Sequence, residues 1–199
     1  GGISFNDRRI TLEEFRSAKE TGFLKDGTKL PFHQIPCLVV DGVPIAQTGA
    51  IARFCGKLSG LYSAEDSITS ALIDQFIDFV TDLTNLVYIP SNSPLTEDEK
   101  IQHRRILAEG ELKRKLDMLE DNIFANQTWI VGKEMTIADI AIWRGIGWLA
   151  SDLVAGIPQP YFVNYPKITK IFKNVDNNSK ICEWVRKTYP SNYNRGYIE

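Results

Sequence analysis

The chain is poor in the residues that mark metalloproteins and secreted, disulfide-bonded proteins. Its 199 residues hold three cysteines and two histidines. Cys37, Cys55 and Cys182 show no paired spacing and cannot all be bridged within one chain, which points to a reducing compartment and so to the cytoplasm. Neither His33 nor His103 stands in a ligand spacing, so no metal is expected. Long apolar runs are lacking too. The longest, residues 137–150, is interrupted by Asp139 and Arg144 and is too short to span a bilayer, so no membrane role is expected. Nor is one sign of charge in excess: the net charge is −2 and the Lys and Arg are scattered, so nothing suggests a nucleic-acid surface and no nucleic-acid partner is expected. Repeats and low-complexity tracts are absent.

What is present is ordinary globular composition, 43% hydrophobic and 24% charged, in a chain long enough for one large or two small domains. The organising stretch is residues 34–54, QIPCLVVDGVPIAQTGAIARF. Gln34-Ile35-Pro36 ends a loop on a proline that can be cis. Two short apolar runs, 37–40 and 43–46, flank Asp41-Gly42, the strongest short-range hairpin signal because both turn residues need positive φ. Gln47-Thr48 then opens a helix, with Thr48 expected as its N-cap, and free amides at a helix start attract an anion. Together these devices make a small-ligand site with a carboxylate end.

Along the rest of the chain, residues 1–9 read as a strand in which Ile3 and Phe5 alternate with polar neighbours. Thr11 and Glu14 form a capping-box pattern before a short helix that puts Phe15 and Lys19 on one face. A loop over 21–30 leads to Gln34. After a linker the chain is almost wholly helical. A helix over about 68–87 carries a stripe of Leu72, Phe76, Phe79, Val80, Leu83 and Leu86, with Asp74, Asp78 and Asp82 on another face. Thr96 and Glu99 open a helix running to about Phe124, buried through Leu112, Leu116, Leu119 and Ile123. Thr136 and Asp139 box the start of the most apolar helix, expected to be the buried centre of its domain. Pro166 starts a helix with Ile168, Ile171, Phe172 and Val175 inward. A last helix carries Ile181 and Val185 and stops at Pro190, before a polar, aromatic tail.

The ordered set Q-I-P, D-G, Q-T-x-A-I-x-R-F and T-I-A-D-I resembles the cytosolic glutathione transferases, the sigma-like classes above all. The resemblance spans essentially the whole chain and implies an α/β plus all-α fold. Residues 1–60 would be a thioredoxin-like glutathione-binding domain, incomplete at its start, residues 61–67 a linker, and residues 68–199 an all-helical domain. Gly1 corresponds to the end of the family's first helix, so the first strand and most of that helix lack a counterpart, and a fragment is expected.

The resemblance also assigns site residues. Phe15 stands where the family has tryptophan and loses an indole donor, while Lys19 would reach the glycine carboxylate of glutathione. Gln34 precedes the cis-proline, Ile35 would pair its backbone with the cysteinyl part, and Pro36 would hold the loop. Gln47 and Thr48 would hold the γ-glutamyl carboxylate at the helix start. Asp78 would reach across a homodimer to the γ-glutamyl amine. The tyrosine that polarises the glutathione sulfur in sigma-like classes lies on the first strand, so no catalytic residue is named here. The leading expectation is a glutathione transferase conjugating the thiolate of its co-substrate glutathione to a small hydrophobic electrophile, as in detoxification, near helical-domain residues such as Tyr88 and tail aromatics. Alternatives are a sigma-like glutathione-dependent isomerase and a non-enzymatic relative that keeps the fold for packing or partner binding.

Overall fold

A computed structural model describes residues 2–63, 65–90, 92–158 and 161–189. The chain divides into two compact units, Gly1–Glu65 and Asp66–Glu199. Pro190 and the tail 191–199, expected to end the last helix and to supply aromatics, lie outside the described residues, as does Ala64 of the expected linker. The expected fold class holds: a small α/β unit is followed by an all-helical one.

In the first unit, helix α1 (Leu12–Thr21) begins where the Thr11 side chain accepts the Glu14 N–H and ends at Gly22, left-handed at φ 78°. The other half of the expected capping box does not form, because the Glu14 carboxylate takes Arg8 at 2.8 Å instead. The strand expected over residues 1–9 is not there either. Ile3 and Phe5 are 54% and 72% exposed, and no strand pairs with this stretch among the described residues. Alternation alone does not make a strand, whose backbone groups need a partner.

A short 3₁₀ turn (Pro31–His33) leads to the hairpin of β1 (Cys37–Val40) and β2 (Val43–Ala46), antiparallel with Cys37 opposite Ala46. Asp41 and Gly42 take φ 50° and 81°, the two positive values that a two-residue turn of this twist requires. Helix α2 (Thr48–Ser59) follows. The N-cap is Gln47 and makes no side-chain cap; Thr48 is the first helical residue, which corrects the expectation that it caps. Ala18, Leu24 and Leu30 form this unit's small core, with Ile10 and Cys37 packed against it.

The second unit is built on α6 (Ile137–Leu149), which packs against α3 (Ser67–Val87) on one side and α7 (Pro166–Asp176) on the other. Ala138, Asp139 and Ile142 of α6 are fully buried, so the helix is the centre that its apolar run implied. At its start Asp139 closes the box. It accepts the Thr136 N–H at 2.7 Å and the Ile130 N–H at 2.7 Å, tying the preceding loop down. Burial pushes the Asp139 carboxyl above its ordinary value, against the pull of the Ile130 and Thr136 donors.

Two expectations for α3 to α5 need correction. The buried side of α3 is Ile73, Phe76, Ile77, Leu83 and Val87, whereas Leu72 is 41% exposed. Phe76 and Leu83 are common to the expected and the observed faces, and Val80 of the expected stripe abuts Gly145 of α6, where an added Cβ would lie 2.9 Å from Cγ1. The helix expected from 96 to 124 is two, α4 (Glu97–Glu109) and α5 (Glu111–Asn122), broken at Gly110 with φ −115° and ψ −107°. Leu112, Leu116, Leu119 and Ile123 are buried as expected.

Helix α7 is capped from outside. The Glu120 carboxylate of α5 accepts the N–H groups of Lys167 at 2.8 Å and Ile168 at 2.9 Å, and Ile168, Ile171, Phe172 and Val175 face inward as their spacing implied. Helix α8 (Ser179–Thr188) starts on Asn178 and buries Val185. No helix among the described residues is long and apolar enough to cross a membrane.

Candidate functional site

Three short segments of the first unit carry seven of the eight residues singled out from the sequence: α1, the loop before β1, and the start of α2. Phe15 is half-buried on α1, and Lys19, one turn later, is exposed. Gln34, with extended backbone, Ile35 and Pro36 form an exposed entry to β1, and the Ile35–Pro36 peptide is cis as expected. Gln47 and Thr48 are exposed at the entrance to α2. The Gln47 amide reaches the Gln34 side-chain oxygen at 3.5 Å, the outer limit of a hydrogen bond, so loop and helix start face each other. Asp78, the eighth, belongs to α3 of the second unit and is not part of this cluster.

The backbone of the cluster is strained at three places. Gln47 takes φ 73° and ψ 119°, outside the regions that L residues favour. Phe32 and His33 are consecutive left-handed residues at φ 59° and 53°. Such residues cost on the order of 1–3 kcal/mol each and gather where a ligand is gripped. Gln47 stands at the N-cap of α2 and leaves its first turn without a side-chain cap. The initial N–H groups of a helix have no acceptor within it, and the aligned peptide dipoles favour an anion there. A carboxylate is the ligand group that both features suit.

The loop conformation is held by α1. Leu30 N–H donates to Gly22 O at 2.7 Å, and His33 N–H to Leu30 O at 3.1 Å. The His33 ring lies 2.8 Å, through Nδ1, from the Lys19 carbonyl oxygen. Its other edge rests on Gly22, where an added Cβ would meet Nε2 at 2.7 Å. In the sequence His33 is a lone histidine outside any ligand spacing. Its contacts are with a carbonyl and a glycine, which no side-chain motif announces.

The chemistry available is that of recognition. The exposed Ile35 offers backbone N–H and C=O to a peptide-like ligand, Lys19 offers a cation, and Gln34 and Gln47 offer amides. Cys37, next after Pro36, is no ready nucleophile: burial pushes its thiol above the ordinary value, with only a partial opposing pull from the Ile45 backbone. Among the described residues no group of three or more His, Cys, Asp or Glu could hold a metal ion.

Comparison with known proteins bears on this arrangement. Residues 78–188 match the family described as the glutathione S-transferase C-terminal domain. Glutathione S-transferase 2 of Caenorhabditis elegans is 30% identical over 165 residues, covering 81% of this chain and 83% of the relative. Hematopoietic prostaglandin D synthase of Gallus gallus is 26% identical over 186 residues, covering 94% and 84%. Among solved structures, rat hPGDS complexed with a quinoline superposes with a TM-score of 0.77 at 22% identity, over 96% of this chain and 87% of that one.

Proposed function

Because this chain belongs to the glutathione S-transferase family, we propose that it binds glutathione on its first unit and joins the thiolate to a hydrophobic electrophile. What supports the proposal is that Lys19, Gln34–Ile35 and Gln47–Thr48 all lie exposed in one small unit, where the Gln47 amide is 3.5 Å from the Gln34 side-chain oxygen and the His33 ring 2.8 Å from the Lys19 carbonyl. Lys19 holds the glycine carboxylate, with Phe15 beneath it on α1. Ile35 pairs its backbone with the cysteinyl residue, and Pro36 and Gln34 fix that strand entry. The start of α2, with the Gln47 amide and Thr48 hydroxyl, holds the γ-glutamyl carboxylate. The thiol gives up its proton, and sulfur attacks the electrophilic carbon as the thiolate, forming a thioether. The leaving group departs with its bonding pair or, on an activated alkene, the displaced π pair takes up the proton.

The assembly we propose is a homodimer in which Asp78 of one protomer meets the γ-glutamyl amine bound to its partner. Ile68 and Leu72, one turn apart on α3, are 73% and 41% exposed, which supports a buried interface along this helix. A second reading, a glutathione-dependent isomerase, draws its support from the likeness to the avian prostaglandin D synthase. Product analysis with an endoperoxide substrate separates it from conjugation.

The test of the proposal is an ultraviolet difference titration of protein-bound glutathione, following thiolate absorbance against pH. A bound thiol that ionises near or below neutral pH is expected. Binding with an unshifted thiol would leave a ligand-binding relative without transferase chemistry, and no binding would overturn the site itself.

A further inference from the structure

Gln34 and Ile35 can present themselves to a ligand only if the two residues before them stay left-handed. Phe32 and His33 hold φ 59° and 53° without the freedom of glycine. What keeps them there is a clamp onto the end of α1. A backbone carbonyl only accepts, so the 2.8 Å contact between His33 Nδ1 and Lys19 O fixes the hydrogen on Nδ1. The ring can approach so closely because residue 22 is a glycine at φ 78°, and any side chain there would meet the imidazole. The Gly22 carbonyl in turn accepts the Leu30 N–H, anchoring the same loop at its other end.

We propose that His33 is a positioning residue for the glutathione site: its Nδ1–H, bonded to the Lys19 carbonyl, locks the loop that presents Gln34 and Ile35 to the helix that carries the Lys19 cation. The inference rests on the glutathione reading above. One hydrogen bond thus ties the part that grips the glycine carboxylate to the part that pairs with the cysteinyl backbone. If it is lost, Phe32 and His33 relax towards negative φ and the strand entry shifts away from Lys19. The Gln34–Gln47 contact, already 3.5 Å, would open with it.

Two variants separate this role from mere support. His33→Ala removes the donor, whereas His33→Asn tolerates the left-handed backbone and places an amide N–H close to where Nδ1 stands. Calorimetric titration with glutathione is expected to show an affinity about three- to tenfold weaker for His33→Ala, the scale of one net hydrogen bond. His33→Asn should return to within about threefold of the native protein. The ¹⁵N signals of the His33 ring, recorded without glutathione, should show a hydrogen on Nδ1. Native affinity in His33→Ala overturns the proposal, and so does an Asn variant as weak as the Ala one or a ring carrying its hydrogen on Nε2. A native chain that shows the Nδ1–H tautomer yet binds no glutathione overturns the glutathione reading instead, and the positioning role with it.

Discussion

Replacing Asp139 by alanine should be among the most damaging single changes in the second unit. Its carboxylate is fully buried and accepts three hydrogen bonds: from the Ile130 N–H at 2.7 Å, the Thr136 N–H at 2.7 Å and the Thr136 hydroxyl at 3.0 Å. Alanine strands the Ile130 N–H in a buried place, worth about 1.5–3 kcal/mol when the lost acceptor is charged. It also removes half of the box at the start of α6, worth about 1–2 kcal/mol. The sum is a loss of about 2.5–5 kcal/mol, a large share of the ~5–15 kcal/mol that holds a typical domain together. Asp139→Asn keeps one acceptor but turns amide hydrogens towards the Thr136 donors, so its loss should be smaller, about 2 kcal/mol. Urea unfolding followed by circular dichroism reads both as shifts in midpoint at unchanged slope. A loss under about 1 kcal/mol for Asp139→Ala would refute the reasoning, because the stranded Ile130 N–H alone exceeds it.

Other changes follow the same logic. Gly145→Ala drives a methyl to 2.9 Å from Val80 Cγ1, costing about 1–3 kcal/mol, and a second change, Val80→Ala, should recover most of it in the same urea titration. Glu120→Ala uncaps α7 by stranding the Lys167 and Ile168 N–H groups, with an expected loss of about 1–2 kcal/mol by denaturant midpoint. Cys37 should react with iodoacetamide at neutral pH more slowly than Cys55, since burial raises its thiol pKa and lowers its thiolate fraction while Cys55 is exposed. Peptide mapping by mass spectrometry reads the order.

What was legible in the sequence was whatever a few neighbouring residues decide among themselves. Asp41-Gly42 determines a hairpin because its backbone needs no distant help, and Thr136 with Asp139 closes a box for the same reason. Ile168, Ile171, Phe172 and Val175 leave α7 one face to bury. Errors arose where distant partners decide. Residues 2–9 alternate like a strand, yet no strand lies beside them among the described residues. Helix α3 has apolar residues on overlapping faces, and its packing against α6 buries Ile73, Phe76, Ile77, Leu83 and Val87. The break at Gly110 is invisible to periodicity because Leu112, Leu116 and Leu119 continue the apolar pattern beyond it. Within the candidate site, residue types were readable from motif order. The positive φ of Gln47 and the grip of His33 on Lys19 O are backbone facts, which side-chain patterns do not record.

Amide chemical-shift mapping of the labelled protein during a glutathione titration reads directly where glutathione sits. Shifts concentrated at Lys19, Gln34, Ile35, Gln47 and Thr48, with the buried residues of α7 silent, are the predicted result. Shifts scattered over the second unit, or none at saturating glutathione, would contradict it.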